Sequence, residues 1–125
     1  MTVLVDSDVL IEVSRGRDSD ILRKWLALSR SDAAILYSPV NAAELWAGAR
    51  PREHQVLTNL FNALLCVPID YETGRRAGEY LRQYRASHSV ESGAALVAAA
   101  AVVSGAALWT RNRKHYPMKE ISFFA

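Results

Sequence analysis

Acidic and polar side chains stand directly after the predicted strands of this sequence. Asp6 and Asp8 follow the β-branched run Thr2–Val5, and Glu44 lies one helical turn beyond the next apolar run. Thr110 begins the polar segment after a later run. The carboxyl ends of parallel strands share one edge of a sheet, and ligands bind beyond that edge. The pattern therefore predicts a site rich in carboxylate and hydroxyl oxygens.

Asp6 carries the strongest of these signals. A carboxylate directly after a buried strand is held by rigid backbone and faces the site. The alternative role of Asp6 is to cap the first helix, but Ser7 could cap that helix instead. Glu44 is flanked by Ala43 and Leu45. An acid in such an apolar helical stretch needs a partner, a metal ion or water, and its alternative role is that of a solvent-facing residue.

The pair Asp6-x-Asp8 permits two other interpretations. Asp8 and Glu12 are four residues apart, so we expect both on the exposed face of the first helix, with an outer role in the site left open for Asp8. The pair is also similar to the motif of aspartyl-phosphate hydrolases. Leu10 stands where those enzymes have Thr or Val, so phosphotransfer by Asp6 is a minor alternative.

Cysteine, histidine and glycine patterns indicate no further site. His54, His88 and His115 lack the spacing of metal ligands, and surface or capping roles are expected for them. Cys66 has no evident His or acidic partner and is expected in the core of a strand. The chain has no G-x-G-x-x-G after the first strand and no G-x-x-x-x-G-K, which disfavours a dinucleotide or P-loop site.

Strands and helices alternate along the chain and must position these residues. We predict strands at 2–5, 34–37, 66–69 and 107–109, with 121–124 as a candidate fifth, and helices at 8–14, 18–29, 41–49, 51–64, 70–87 and 91–104. Alternation of this kind predicts an α/β fold with a mostly parallel sheet of four or five strands and helices on both faces. The last helix is apolar almost all round, which predicts a fully buried helix that Gly105 ends.

Cap and face residues follow from the same spacing. Asp70 is predicted to cap the long fifth helix, with Tyr71 among its apolar positions, and Pro51 to open the fourth helix. Val56 and Leu57 are among the residues expected to face the core from that helix.

Composition bounds the class of protein. The chain has 125 residues, of which 50% are hydrophobic and 22% charged, as in a single globular domain spanning residues 1–125. The sequence has no stretch of 18 or more apolar residues, so no membrane-spanning helix is predicted. No leader peptide is recognised. A single cysteine fits a reducing cytoplasm. The net charge of +2 is too small to identify a nucleic-acid binder.

The distribution of charge is more informative. Twelve of the fifteen cations are Arg, and the segment from Arg75 to His115 holds seven cations against two acids. The planar guanidinium binds phosphate through two hydrogen bonds. The alternative is a set of solvated helix faces.

Four segments, in this order, resemble the PIN-domain family, and within it the VapC-type toxins of toxin–antitoxin pairs. They read L-V-D-S-D-V-L-I-E at 4–12, N-A-A-E-L-W-A-G at 41–48, A-A-L-V-A-A-A-A at 94–101 and L-W-T-R-N-R-K-H-Y at 108–116. The resemblance covers essentially the whole chain. It implies a three-layer α/β domain, a ribonuclease site dependent on Mg²⁺ or Mn²⁺, a cognate antitoxin as partner and a homodimer.

The resemblance also implies which residues form the site. Asp6 matches the first acid of the family and Glu44 the second, and these two would hold the metal ion. Asn112 matches the fourth polar position, and Thr110 matches the small hydroxyl that accompanies it. Ala94 occupies the place of the third acid.

The segment after the last strand supplies the implied RNA contacts. Arg111, Arg113 and Lys114 follow the strand end beside Asn112. Cations there would meet the phosphates of an RNA substrate.

Ala94 is the main departure from the family pattern. A methyl group can neither ligate a hard cation nor orient water, and loss of one such electrostatic group costs about 10²–10³ in rate. Glu91 lies three residues earlier and could substitute in part. A deliberate replacement of Asp and a natural loss are both open as the origin of Ala94. The alternative function is a non-catalytic PIN-like domain that binds RNA or an antitoxin.

Overall fold

A computed structural model describes all 125 residues, with four β-strands and six α-helices in alternation. In chain order the elements are β1 (Thr2–Val5), α1 (Ser7–Arg15), α2 (Ser19–Ser29), β2 (Ala34–Tyr37), α3 (Pro39–Ala47), α4 (His54–Asn62), β3 (Leu65–Cys66), α5 (Tyr71–His88), α6 (Ser92–Val103) and β4 (Ala107–Trp109). Two 3₁₀ turns lie at Pro51–Glu53 and Arg113–His115. No helix is long and apolar enough to cross a membrane.

The four strands form one parallel sheet in the order β3-β2-β1-β4. Val3 of the central strand β1 pairs with Ile35 on one side and Ala107 on the other. All strands run the same way, so the residues that follow β1, β2 and β4 meet at one edge of the sheet. This edge carries the candidate site.

Each face of the sheet is covered by helices. Leu4 and Leu108 belong to a core that α5 and α6 complete, whereas Val3, Val5 and Trp109 belong to a second core with α1, α2 and α4. Successive residues of a strand point to opposite faces, which explains this division. The three-layer α/β architecture predicted from the alternation of elements is confirmed.

The bounds of α6 were predicted closely, but the helix is not buried throughout, since Val103 at its end is 44% exposed. Its residues Ala95 and Val97 to Ala101 are each at most 1% exposed, and small side chains let the sheet and α5 approach it closely. Glu91 is the N-cap residue, and Gly105 follows the helix with φ of +66°. Gly adopts this left-handed conformation without steric cost.

Two predicted helix starts are wrong by a few residues. Asp6, not Ser7, caps α1: its carboxylate accepts a hydrogen bond from the Ser7 amide at 2.8 Å. Helix α3 begins at Pro39 rather than Asn41, because Ser38 and Asn41 form a reciprocal capping box around the proline. Proline is well suited to a first helical position.

The helix that Pro51 was predicted to open begins later. Pro51 starts the 3₁₀ turn, and α4 follows from His54. On α4, Leu57 is buried as predicted, but Val56 is 47% exposed. Tyr71, at the start of α5, is also exposed rather than part of an apolar face.

The third strand and the candidate fifth strand also differ from the prediction. β3 pairs through Leu65 and Cys66 with Leu36 and Tyr37, and the Val67 amide donates the last bond to the Tyr37 carbonyl. The ladder then stops, because the chain after β2 enters α3 at Pro39, which has no amide to donate. Cys66 is exposed at this sheet edge rather than in the core. Residues 121–124 make only an isolated bridge to β4, so the sheet has four strands.

Candidate active site

A cleft of about 340 Å³ opens at the carboxyl edge of the sheet. Four residues singled out in the sequence line it: Asp6, Glu44, Ala94 and Asn112. They come from four separate parts of the chain, after β1, within α3, at the start of α6 and after β4. The structure thus brings together the residues that the sequence predicted to form one site.

Asp6 lies at the floor of the cleft and is 8% exposed. Its Oδ2 accepts hydrogen bonds from the hydroxyls of Tyr116 at 2.7 Å and Thr110 at 2.9 Å. Its Oδ1 accepts from the Ser7 amide at 2.8 Å and, at the longer distance of 3.4 Å, from the Asn41 side chain. These donors compensate the burial of the carboxylate and fix its orientation.

Glu44 is positioned by the first residue of α1. The Ser7 hydroxyl donates to Glu44 Oε1 at 2.7 Å and accepts from Asn41 Nδ2 at 2.9 Å. Asn41 is fully buried, and its Oδ1 accepts from both the amide and the hydroxyl of Ser38. The capping box of α3 therefore orients Asn41, which holds the Ser7 hydroxyl that donates to Glu44.

The first turn of α6 lies beside Glu44. A Cβ atom built on Gly93 would lie 4.0 Å from Glu44 Oε2, and the neighbouring residue Ala94 lines the cleft. Glu91 also lines the cleft, from the N-cap position one turn before Ala94. Position 94, where the resemblance expects the third acid, is thus in the cleft, but its side chain is only a methyl group.

The end of β4 connects a second carboxylate to the site. Thr110 Oγ1 lies 3.3 Å from Asp8 Oδ2, and the Arg111 amide donates to the same oxygen at 3.0 Å. Burial raises the pKa of the Asp8 carboxyl, and the nearby Asp6 charge raises it further, against the hydrogen bond from Arg111. Asp8 is half-buried and lines the cleft, so its predicted place on an exposed helix face is wrong.

The cations after β4 are exposed. Arg111 Nη1 lies 3.7 Å from Glu12 Oε1, which is partly buried, and the Arg113 guanidinium stacks over the Phe123 ring at 4.9 Å. Lys114 is in the 3₁₀ turn at 113–115, whose next residue His115 lines the cleft. This loop therefore presents positive charge beside the acidic cleft.

A model of the family described as PIN domain matches residues 3–121 of the chain. The chain belongs to the PIN-domain family. It is 40% identical over 119 residues to Ribonuclease VapC10 of Mycobacterium tuberculosis, covering 94% of this chain and 88% of that protein. It is 30% identical over 116 residues to Ribonuclease VapC19 of the same organism, covering 92% of each.

Solved structures of toxin–antitoxin complexes share the fold of this PIN domain. VapBC2 from Rickettsia felis, bound to a DNA fragment from its promoter, superposes with a TM-score of 0.83 at 17% identity, over 99% of this chain and 98% of that one. FitAcB from Neisseria gonorrhoeae gives a TM-score of 0.71 at 19% identity, over 98% and 96% of the two chains.

The donor set of this PIN domain suits a hard cation but is small. Ribonucleases of the family are in general dependent on divalent metal ions. The cleft offers carboxylate oxygens of Asp6 and Glu44 and the amide of Asn112, yet no three His, Cys, Asp or Glu side chains are arranged to hold a metal ion. Mg²⁺ is commonly bound through one or two carboxylates, with waters and substrate phosphates completing its shell. The residues present fit such a shared site.

Several residues that line the cleft, or that hold its acids from behind, escaped the sequence prediction. Tyr116 and Asn41 both lie within segments that resemble the family, but their hydrogen bonds to Asp6 span 110 and 35 residues of chain. His88 and His115 are exposed, as predicted, and both line the cleft. No spacing along the sequence relates these two histidines, so only the fold reveals their proximity to the acids.

Proposed function

We propose that this PIN domain is the toxin of a toxin–antitoxin pair and, when its acid cluster is complete, a metal-dependent endoribonuclease. The observation that carries the proposal is the convergence of Asp6, Glu44, Ala94 and Asn112 on one cleft. The names of the M. tuberculosis relatives, both ribonucleases, support the reaction class. RNA phosphodiesters are the proposed substrate.

Asp6 and Glu44 are the proposed ligands of Mg²⁺ or Mn²⁺. A divalent cation in such a site lowers the pKa of a water molecule and neutralises charge on the phosphate. Thr110 holds Asp6 through the hydrogen bond at 2.9 Å. The backbone N–H of Asn112 donates to the Thr110 hydroxyl at 3.1 Å, and the side chain of Asn112 is the group proposed to orient water or a phosphate oxygen.

The alanine at position 94 weakens this machinery. Asp6 and Glu44 together carry two negative charges, whereas a cluster with a third acid at position 94 would carry three. Substrate phosphate must therefore supply more of the cation's coordination shell. We expect the chain to bind Mn²⁺ weakly without RNA. We also expect it to cleave RNA about 10²–10³ times more slowly than a chain with a complete acid cluster.

RNA is proposed to enter along the loop after β4. Arg111, Arg113 and Lys114 are exposed there and can contact the phosphates on either side of the scissile bond. The ion pair of Arg111 with Glu12 is long, at 3.7 Å, and such exposed pairs are weak. These cations are therefore available to RNA.

A cognate antitoxin is the proposed protein partner. The solved structures that share this fold include a toxin–antitoxin complex from Klebsiella pneumoniae and DNA-bound VapBC from Salmonella typhimurium, which supports a partner of that kind here. Exposed apolar side chains on α2, α3 and α4 offer a contact surface: Leu26, Trp46 and Val56. We further propose a homodimer and a cytoplasmic location.

Cleavage of RNA by the Ala94→Asp variant tests the proposed activity. We expect Mg²⁺- or Mn²⁺-dependent cleavage of total RNA that a chelator abolishes. The matched control adds Glu44→Gln to the same variant, which removes a proposed ligand without changing side-chain size, and should lose most of the activity. Chelator-resistant cleavage, or full activity with Gln at 44, would contradict a metal site at these acids.

A non-catalytic PIN-like domain that binds RNA or an antitoxin is the second candidate function. Ala94 is the observation that favours it. The two candidates differ in the Ala94→Asp variant, because a domain that lost other parts of its site would stay inactive after the acid is restored.

A further inference from the structure

The hydroxyl of Tyr116 is hydrogen-bonded to Asp6 in the cleft, although this tyrosine is not among the residues assigned a role above. Tyr116 follows the 3₁₀ turn at 113–115, is 6% exposed and lines the cleft. Its donation to Asp6 Oδ2, at 2.7 Å, is the shortest hydrogen bond that this carboxylate accepts. Burial raises the pKa of the Tyr116 phenol well above its usual value, and the neighbouring Asp6 charge raises it further, so the phenol stays a donor.

The donors to Asp6 are divided unequally between its two oxygens. Oδ2 receives two hydroxyls, from Tyr116 at 2.7 Å and Thr110 at 2.9 Å. Each carboxylate oxygen has about two acceptor positions, so Oδ2 is saturated. Oδ1 has one short bond, from the Ser7 amide, and a second contact of 3.4 Å from Asn41. The more weakly occupied acceptor position on Asp6 is therefore on Oδ1, where the donor from Asn41 is 3.4 Å away.

Oδ1 is also the oxygen that is connected to the second acid. Ser7 donates through its amide to Asp6 Oδ1 and through its hydroxyl to Glu44 Oε1. Asn41 contacts both Asp6 Oδ1 and the Ser7 hydroxyl. The same two residues thus connect Oδ1 with Glu44, whereas Tyr116 and Thr110 occupy the opposite oxygen.

We infer that Tyr116 is a positioning residue of the cleft: together with Thr110 it occupies Asp6 Oδ2 and thereby presents Oδ1, beside Glu44, as the oxygen that receives a divalent cation. The inference rests on the proposed metal-dependent function. The Thr110 proton is shared with Asp8 Oδ2, at 3.3 Å, so the phenol is the only one of the two hydroxyls that serves Asp6 alone. Without it, Asp6 is free to rotate and to offer either oxygen.

Mn²⁺ titration of Tyr116→Phe tests this inference, because the substitution keeps the buried ring and removes only the hydroxyl. We expect the dissociation constant for Mn²⁺ to rise by about tenfold or more in the Ala94→Asp background, as is usual when a hydrogen-bond partner of a metal ligand is removed. Calorimetry or the spin-resonance signal of free Mn²⁺ gives the constant without reference to cleavage. Thr110→Val, which removes the other hydroxyl on Oδ2, should act in the same direction.

Tyr80→Phe is the matched control. Tyr80 is 4% exposed, lies outside the cleft, and its hydroxyl has no hydrogen-bond partner. Its substitution removes the same atom from a buried ring and should leave Mn²⁺ affinity unchanged. Circular-dichroism melting of every variant identifies a general loss of stability. If Tyr116→Phe fails to fold, the comparison of Thr110→Val with Tyr80→Phe decides the question.

The possible outcomes separate the inference from the function on which it rests. Weaker Mn²⁺ binding in Tyr116→Phe but not in Tyr80→Phe supports it. Unchanged affinity in Tyr116→Phe, or an equal loss in both variants, overturns the inference and leaves the proposed function standing. Absence of Mn²⁺ binding by the Ala94→Asp parent itself, at millimolar metal ion, overturns the metal-dependent function and the inference with it.

Discussion

At the scale of single residues, one serine connects the two acids of the cleft. The amide of Ser7 donates to Asp6, and its hydroxyl donates to Glu44. Glu44 is otherwise exposed on α3 and has no other hydrogen bond that orients it. The separation of the two carboxylates therefore depends on a group that itself carries no charge.

Ser7→Ala tests this dependence. In the Ala94→Asp background, we expect about a tenfold loss of RNA cleavage rate, because Glu44 loses the hydrogen bond that holds it near Asp6. Ser14→Ala is the control: it removes a hydroxyl from the same helix, where the serine donates to the Ile11 carbonyl outside the cleft. Equal rates for the two variants would show that Ser7 does not position Glu44.

The residues that the sequence identified are those that follow strands or lie one turn into a helix. Asp6, Glu44 and Thr110 could be found because the carboxyl ends of parallel strands meet at one edge. Tyr116 could not be found in this way, since its bond to Asp6 spans 110 residues and no periodicity relates the two. Asp8 was placed wrongly because helical spacing from Glu12 does not reveal that the end of β4 covers it.

At the scale of elements, the long helix α5 depends on its first carboxylate. Asp70 Oδ1 accepts hydrogen bonds from the Thr73 amide and the Thr73 hydroxyl, each at 2.9 Å. These two bonds lower the pKa of Asp70 below its usual value of 3.8. A lowered pKa in the folded state means that the cap stabilises the protein above about pH 4 and ceases to do so as pH falls through the folded-state value.

Asp70→Ala should therefore lower the melting temperature by several degrees at pH 7. The difference from the parent chain should shrink as the pH is lowered below 4, because the parent's carboxylate is then protonated as well. Asp32→Ala, at an exposed position before β2, is the control and should change little. Melting curves from pH 7 down to pH 2 measure the effect, and a difference that does not depend on pH would contradict the capping role.

The loop after β4 carries the proposed contact with RNA. Replacing both Arg111 and Arg113 by Ala should weaken RNA binding. It should also reduce the slope of log affinity against log salt concentration by about one for each arginine, as expected when one phosphate contact is lost per residue. Filter binding at rising salt measures both quantities. The control removes two cations from α2, Arg23 and Lys24, which already pair with Asp20. If both double variants bind RNA equally, the loop does not contact the RNA.

Element boundaries show where local patterns were sufficient. β2 and β4 match their predicted limits, since apolar β-branched or aromatic runs between polar residues define a buried strand. β3 was predicted too long because its apolar run continues past Cys66, whereas pairing ends there. Hydrogen bonding to a neighbouring strand, rather than residue type, sets that limit.

At the scale of the whole molecule, the three layers were predictable, but the order of strands was not. Alternation of strands and helices predicts a parallel sheet covered on both faces. The order β3-β2-β1-β4 places β1 in the middle, and this position puts Asp6 between the residues that follow β2 and β4. Nothing in the local sequence determines that β1 lies between β2 and β4. The sequence therefore predicted that Asp6, Glu44 and Thr110 share one edge, but not which side chains contact Asp6.

The same architecture separates two functions of the molecule. The acids Asp6 and Glu44 line the cleft, whereas the exposed cations Arg111, Arg113 and Lys114 lie on the loop beside it. Under the proposed function, cleavage requires the full carboxylate cluster, whereas affinity for RNA comes mainly from cations that meet phosphates. The loss of an acid at position 94 also reduces repulsion between the empty cleft and the RNA backbone.

The most direct test of this account measures binding and cleavage of one labelled RNA by the chain as it stands and by its Ala94→Asp variant. We predict that the chain binds the RNA with salt-sensitive affinity, no weaker than the variant does in the presence of a chelator. In Mg²⁺ the chain should leave the RNA essentially uncut, while the variant cleaves it about 10²–10³ times faster. Robust cleavage by the unmodified chain, at a rate equal to that of Ala94→Asp, would contradict the claim that Ala94 disables the site.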